Sequence, residues 1–356
     1  MQEDVRSYAV AHARVRALYA RLLTMEMWHE LREAQDFDTL LDILAGTVYG
    51  PYLEIEEAKL TPRRAVYQLR GHLADAYIKV IRLSPRPGRQ LLLQLWRLFE
   101  VDNLKAILRG IETGASWHQV QFTLFPTREE TVLPAEEIFE AGSVPDAIEE
   151  LSGTPYYAPL SHALERYQAE QNLFPLEVAL DLDYYRALWS EVNQLKGLDH
   201  NHALRLVGGL IDVNNLMWAI RYRVYHNLSE EEIINYTLPF GYRVDDQDIR
   251  AIAAGADIAS IVSRLYPEIE NVEALLRRPQ ELERQLQHQL GRESHRTFIG
   301  YPFHIGIPVA YVLLNEQEVH DLTVLIEAKA SQIPSEVYSS LLLVQPQPME
   351  SRPAIY

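Results

Sequence analysis

Three stretches of this sequence repeat one pattern, and any fold the chain adopts must accommodate all three. They are "FEVDNLKAILRG" at 99–110, "LIDVNNLMWAIR" at 210–221 and "EQEVHDLTVLIE" at 316–327. Each holds an acid, then a valine, then Asn or Asp three residues after the acid, then a leucine. The acids Glu100, Asp212 and Glu318 lie 112 and 106 residues apart. On a helix, Val101, Leu104 and Leu108 fall at i, i+3 and i+7 and make one apolar stripe. Val213, Leu216 and Ile220 repeat it, as do Val319, Leu322 and Ile326. The pairs Glu100/Asn103, Asp212/Asn215 and Glu318/Asp321 fall together on a second face. A catalytic constellation is needed once, whereas a structural unit can be needed three times.

A second landmark precedes each motif. "DTLLDILAGTVYGPYL" at 38–53 matches "DAIEELSGTPYYAPL" at 146–160: an acid opens a short apolar helix, followed by Gly-Thr, a tyrosine and a proline. "DIASIVSRLYPEI" at 257–269 is a degraded third copy without the Gly-Thr. Asp38 and Asp146 fit N-caps, and Gly46 and Gly153 fit C-terminal stops. From Tyr49, Tyr156 and Tyr266 to the next motif acid the chain runs 51, 56 and 52 residues. This period is longer than that of the short helical solenoids. It predicts a triplicated helical unit: 1–124 as an N-terminal helix plus unit one, 125–240 as unit two and 241–344 as unit three. Residues 345–356 are Pro-rich and expected to be a disordered tail.

Helical spacing dominates elsewhere. Tyr8, Ala11, Val15, Leu18 and Leu22 keep it over 8–23, and Leu92, Leu95 and Phe99 continue into the first motif. Residues 163–195 read as two helices broken near Pro175, and 271–290 as helical with a break at Pro279. "VQFTLF" at 120–125 alternates like a strand, but a lone strand cannot satisfy its own backbone, so a loop or small hairpin is expected. The expected fold class is all-α, with the three units around a pseudo-threefold axis.

Composition narrows the function. Hydrophobic residues make up 47% of the chain, enough for a core. No apolar run approaches the roughly 18–20 residues that span a bilayer, and the first residues lack a signal pattern, so the reading is cytoplasmic. There is no cysteine, which excludes thiolate chemistry and disulfides. The net charge of −17 argues against nucleic acid. All the excess lies in 121–356, with 17 Lys+Arg against 35 Asp+Glu. By contrast, 59–97 carries Lys59, Arg63, Arg64, Arg70, Lys79, Arg82, Arg86, Arg89 and Arg97, opposed only by Asp75. That segment is either a solvated face with some capping arginines or a basic patch facing an acidic partner or anionic headgroups, with Arg82, Arg86 and Arg89 as its contacts.

The polar motif residues, with Asp102 and Asn214 beside them, admit two readings. They can line a funnel as one polar ring, or fix packing within each unit by hydrogen bonds, as buried polar groups must. Arg14 and Arg16 can pair with carboxylates between units or stay at the surface. "DHNH" at 199–202 offers His200 and His202 without a third ligand at characteristic spacing. "DLD" at 181–183 reads as an N-cap. Gly208 and Gly209 lack a phosphate-loop context, and no nucleophile elbow is present. No catalytic residue, metal or cofactor is expected.

"YAVAHARVRALYARLL", "YGPYL", "FEVDNLKAILRG" and "IDVNNLMWAIRYR" together resemble the C-type subunit of archaeal and bacterial V-type ATPases, the counterpart of the d-type subunit of the vacuolar enzymes. The resemblance runs from Tyr8 to about Val337. It implies a funnel-shaped, all-helical, non-catalytic rotor component, one copy per complex. Such a protein caps the cytoplasmic face of the membrane rotor ring and receives the central shaft of the soluble head, so that ATP turnover is coupled to proton or sodium transport. The partners it implies are the shaft subunits and the ring subunits. The alternatives from the residues alone are a free-standing triplicated helical scaffold and a helical metalloenzyme using His200 and His202.

Overall fold

The computed structural model describes residues 2–54, 60–128 and 131–344, and among them the chain is all-α, with no strand. Lys59 and the tail 345–356 lie outside the described residues. In chain order, α1 (Gln2–Tyr19), α2 (Met25–Glu33), α3 (Phe37–Ala45), α4 (Gly50–Leu53), α5 (Pro62–Leu83) and α6 (Arg86–Glu112) lead to the first motif. Then α7 (Trp117–Val120), α8 (Ala135–Glu140), α9 (Val144–Glu149), α10 (Tyr157–Glu170), α11 (Phe174–Gln194) and α12 (Gly197–Val224) lead to the second. The third follows α13 (Glu230–Asn235), α14 (Asp246–Ala253), α15 (Ile258–Leu265), α16 (Val272–Leu276) and α17 (Pro279–Thr297), and lies on α18 (Gly306–Ala330); α19 (Ser335–Tyr338) comes last.

The breaks have local causes. Pro279 opens α17, where its missing N–H has no helical partner to lose. The break before Pro175 falls at Gln171, which ends α10 in the left-handed region at φ 52°. The Gly-Thr landmark is one turn built twice. Thr47 donates to the Leu44 carbonyl at 2.7 Å and accepts from the Tyr49 amide at 3.1 Å; Thr154 does the same with Leu151 and Tyr156 at 2.7 and 3.3 Å. Asp257 caps α15, accepting from the Ala259 amide.

Two cap assignments need correction. The caps of α3 and α9 are Asp36 and Ser143, so Asp38 and Asp146 sit in the first turn, where a negative charge still favours the helix dipole. Asp181 is no cap at all: it lies in the middle of α11, because Pro175 starts that helix six residues earlier. Residues 120–125 form a docked turn. The Asn103 side chain clamps the backbone of Phe125 from both sides, and the Phe125 ring stacks on Phe99 at 3.9 Å.

All nine residues of the motif stripes are buried. At roughly 1.5–3 kcal/mol for each fully buried aliphatic side chain, they anchor the motif helices in the core. Helix α6 packs on α11, α12 packs on α17, and α18 packs on α5. Each motif helix thus meets the long helix that follows the next landmark. The last motif helix meets the one that follows the first landmark, so the order of pairing closes on itself.

Candidate functional site

The tyrosines and motif acids follow the same cyclic order. Glu100 accepts hydrogen bonds from the Tyr156 hydroxyl at 2.5 Å and the Val132 amide at 2.7 Å. Glu318 accepts from the Tyr49 hydroxyl at 2.7 Å and the Leu23 amide at 2.8 Å, across 269 and 295 residues of chain. Asp212 accepts three backbone amides, Tyr242, Arg243 and Val244, at 2.8, 2.7 and 3.1 Å. It lies beside Tyr266, whose phenol is pushed up by burial first and by the Asp212 charge next. The boundaries 1–124, 125–240 and 241–344 therefore group each tyrosine with an acid it does not touch. The second polar residue holds a downstream loop in every copy. Asn103 clamps Phe125, Asn215 clamps Leu238 at 2.7 and 2.8 Å, and Asp321 accepts the Leu343 and Val344 amides at 2.7 Å each. The three acids are at most 3% exposed, so they sit inside the protein body, facing backbone amides and phenols, with the Arg97 guanidinium 3.5 Å from Glu100.

The carboxylates are held differently. Burial is the main influence on Asp212 and raises its pKa to about 7, outweighing the backbone donors, which lower it. A glycine makes that nest possible: a Cβ at Gly241 would collide with the Asp212 carboxylate.

The other motif neighbours diverge. Asn214 donates to the Leu210 carbonyl, one turn back. Arg16 takes no carboxylate. Its guanidinium donates to the Phe298 carbonyl and the His12 ring, each at 2.6 Å, tying α1 to the end of α17. Arg14 is exposed and forms no ion pair among the described residues. Asp199 accepts from the Tyr8 hydroxyl at 2.7 Å and the Ile305 amide at 2.8 Å. His202 stacks on His304 at 3.6 Å. No cluster of three metal-ligating side chains occurs among the described residues.

The basic segment divides in two. Arg63 and Arg70 reach the carbonyls of Gln119 and Thr123 and dock the 120–125 turn. Arg89 donates to the carbonyls of Ile81 and Arg82 and so closes the C-terminus of α5, a capping arginine. Arg82 and Arg86 are exposed at the α5–α6 corner.

A second group was not singled out by the sequence pattern. Where α5, α6, α11 and α18 meet, the Tyr77 hydroxyl donates to Glu316, and Lys105 bonds Asp181. Asp102 stands near both carboxylates. Its side chain is exposed, yet desolvation by its surroundings is the largest influence and raises its pKa, with Lys105 lowering it and Asp181 raising it. Tyr184, 3% exposed, has a hydroxyl with no hydrogen-bond partner among the described residues and feels Glu316, Asp102 and Asp181. The nearest sequence signal was Glu316 itself, two residues before a motif acid and thus on another face of the same helix.

Burial raises Glu316 from its ordinary 4.5 to about 7, with Tyr77 opposing. A folded-state value above the unfolded one means this group's stability contribution is complete below about 4.5 and lost as pH rises through about 7. Glu316→Gln mimics the protonated form. Its stability relative to the parent should therefore rise by about 1–3 kcal/mol between pH 5 and pH 8, read from urea midpoints. A difference that stays flat across that range would contradict the assignment.

The profile of the family described as "ATP synthase (C/AC39) subunit" matches residues 11–340. The C-type subunit of the A-type ATP synthase of Methanocaldococcus jannaschii is 26% identical over 349 residues, covering 96% of this chain and 87% of that protein. Its counterpart in Methanococcoides burtonii is 26% identical over 355 residues, covering 95% and 94%. That of Methanothermobacter thermautotrophicus is 26% identical over 339 residues, covering 92% and 85%. With a match spanning nearly its whole length, the chain belongs to the ATP synthase (C/AC39) subunit family, and these relatives are subunits C of A-type ATP synthases.

Proposed function

We propose that this chain is a non-catalytic rotor subunit that joins the central shaft of the soluble ATPase head to the membrane rotor ring, coupling ATP turnover to proton or sodium movement. The observation that supports this best is the cyclic pairing of α6 with α11, α12 with α17 and α18 with α5. Three like units closed on one another form a funnel-shaped body with a central depression. Such a body can hold a rod end-on and turn with it. The role demands stiffness rather than chemistry, and buried carboxylates bonded across hundreds of residues supply it. No helix among the described residues is long and apolar enough to cross a membrane, consistent with a body resting on the ring from the cytoplasmic side, one per complex. The exposed Asp102, beside Asp181 and Glu316, suits a basic shaft end, and the net charge of −17 adds long-range attraction.

Pull-down with the shaft subunits and with the detergent-solubilised ring at moderate salt tests the role; recovery of neither defeats it. Asp102→Lys should weaken shaft binding about tenfold and leave ring binding alone. Reversing Arg82 and Arg86 to Glu should weaken assembly and steepen its salt dependence. Arg89 is left in place because it closes α5. Assembly indifferent to the double reversal would make the 59–97 segment a solvated face.

A further inference from the structure

Three hairpin corners meet at one end of the body. They join α5 to α6, α11 to α12 and α17 to α18. A Cβ at Gly88, in the first turn of α6, would collide with the Ile305 side chain just before α18. The Ile305 amide donates to Asp199 in the first turn of α12. A Cβ at Gly306 would collide with His202 in the second turn of α12. The α17–α18 corner therefore touches both of the others.

This end is basic in an acidic chain. From the last two residues of each leading helix to the first four of the next, the corners hold Arg82, Arg86, Arg89, Lys196 and Arg296 against a single acid, Asp199. The whole chain has 33 Lys or Arg and 50 Asp or Glu. Asp199 is committed to the Tyr8 hydroxyl and the Ile305 amide. Two of the bases stand where the fold disfavours them. Arg86 opens α6, and Lys196 is the N-cap of α12, which it leaves without a side-chain cap. A helix N-terminus carries partial positive charge and favours an acid or a short polar cap. Both side chains are exposed, and neither is ion-paired among the described residues. Positive charge held against the local preference points to a negative surface outside the molecule.

Apolar tips stand among these charges. Leu198 is 49% exposed, Ile299 61% and Tyr301 39%. Gly300 turns the chain between the last two at φ 100°, and a Cβ there would meet nothing within 4 Å. The tip of that corner is thus open. Aliphatic and tyrosine side chains flanked by arginine and lysine match a bilayer interface, where the former enter the headgroup layer and the latter meet lipid phosphates.

We propose that the three-corner end is a docking surface for an anionic lipid bilayer, with Leu198, Ile299 and Tyr301 entering the headgroup layer and Arg86 and Lys196 meeting lipid phosphates. The net charge of −17 does not prevent this. Screening limits charge effects to about 8 Å at physiological ionic strength, so the bilayer senses the end that faces it. The surface goes beyond the rotor reading and is tested apart from it, since vesicles contain neither shaft nor ring.

Flotation of the full chain with vesicles is the test, comparing phosphatidylcholine alone with an equimolar mixture of phosphatidylcholine and phosphatidylglycerol. Binding should be confined to the anionic vesicles and fade as salt is raised. Arg86→Glu with Lys196→Glu should weaken it about tenfold or more. The melting temperature should hold or rise, because each new acid sits at a helix N-terminus. Ile299→Ser with Tyr301→Ser should weaken binding about tenfold and leave its salt dependence in place. Val224→Ser, also exposed but at the other end of α12, should change nothing. Equal binding to both vesicle types, no binding to either, or binding indifferent to both double variants overturns the proposal. Variants that lose the detergent-solubilised ring but keep the vesicles would make this end a protein contact and overturn it as well.

Discussion

Deleting residues 1–54 should expose α18, about 250 positions further along, and leave the α6–α11 pair protected. The reason is the cyclic closure. Helix α18 packs on α1 and α3 as well as on α5, α17 and α12, and 18 of its 25 residues are buried. Its Glu318 is bonded to Leu23 and Tyr49, and Lys329 at its far end donates to the Arg32 carbonyl at 2.7 Å. Removing the N-terminal segment strips apolar cover worth roughly 1.5–3 kcal/mol for each large side chain that becomes exposed and leaves a buried carboxylate without donors. Hydrogen exchange of the truncated chain should show amides of 306–330 exchanging faster than in the parent, with those of 90–112 and 174–194 unchanged. The opposite pattern, with 90–112 exposed and 306–330 protected, would contradict the cyclic closure.

This separates what the sequence carried from what it did not. Helical period, the breaks near Pro175 and at Pro279, and the three apolar stripes are local signals, and each can be read within one or two turns. The bond between Tyr49 and Glu318 has no local trace. A constant spacing from each tyrosine to the next acid looks the same whether they touch within a repeat or across repeats, so the stagger stayed invisible. Asp181 misled for a related reason. Aspartate favours caps because its side chain competes for nearby amides, but here Lys105 from another helix supplies its partner mid-helix. Arg16, read from sequence either as a carboxylate partner between units or as a surface residue, takes a carbonyl instead, since the end of α17 offers unsatisfied C=O groups that a guanidinium can close.

Asp212→Asn should cost about 2–4 kcal/mol, more than a neutral substitution of the same shape would elsewhere in the core. Both carboxylate oxygens act as acceptors, Oδ1 for Tyr242 and Val244 and Oδ2 for Arg243. An asparagine keeps one acceptor and turns the other position into a donor that faces a backbone N–H. Burial leaves no water to take up the mismatch, as Asp212 is 0% exposed. Because the nest also fixes the 241–244 turn, the loss should reach Arg243, which pairs with Glu268 and the Leu265 carbonyl and so holds the third landmark in place. Asp212→Glu behaves differently: its longer arm can reach the Tyr266 hydroxyl and copy the other two joins, at the expense of the amide nest. Urea midpoints of the two variants and the parent decide the matter. An asparagine variant as stable as the parent would mean that the Asp212 carboxylate is not the acceptor on which the turn depends.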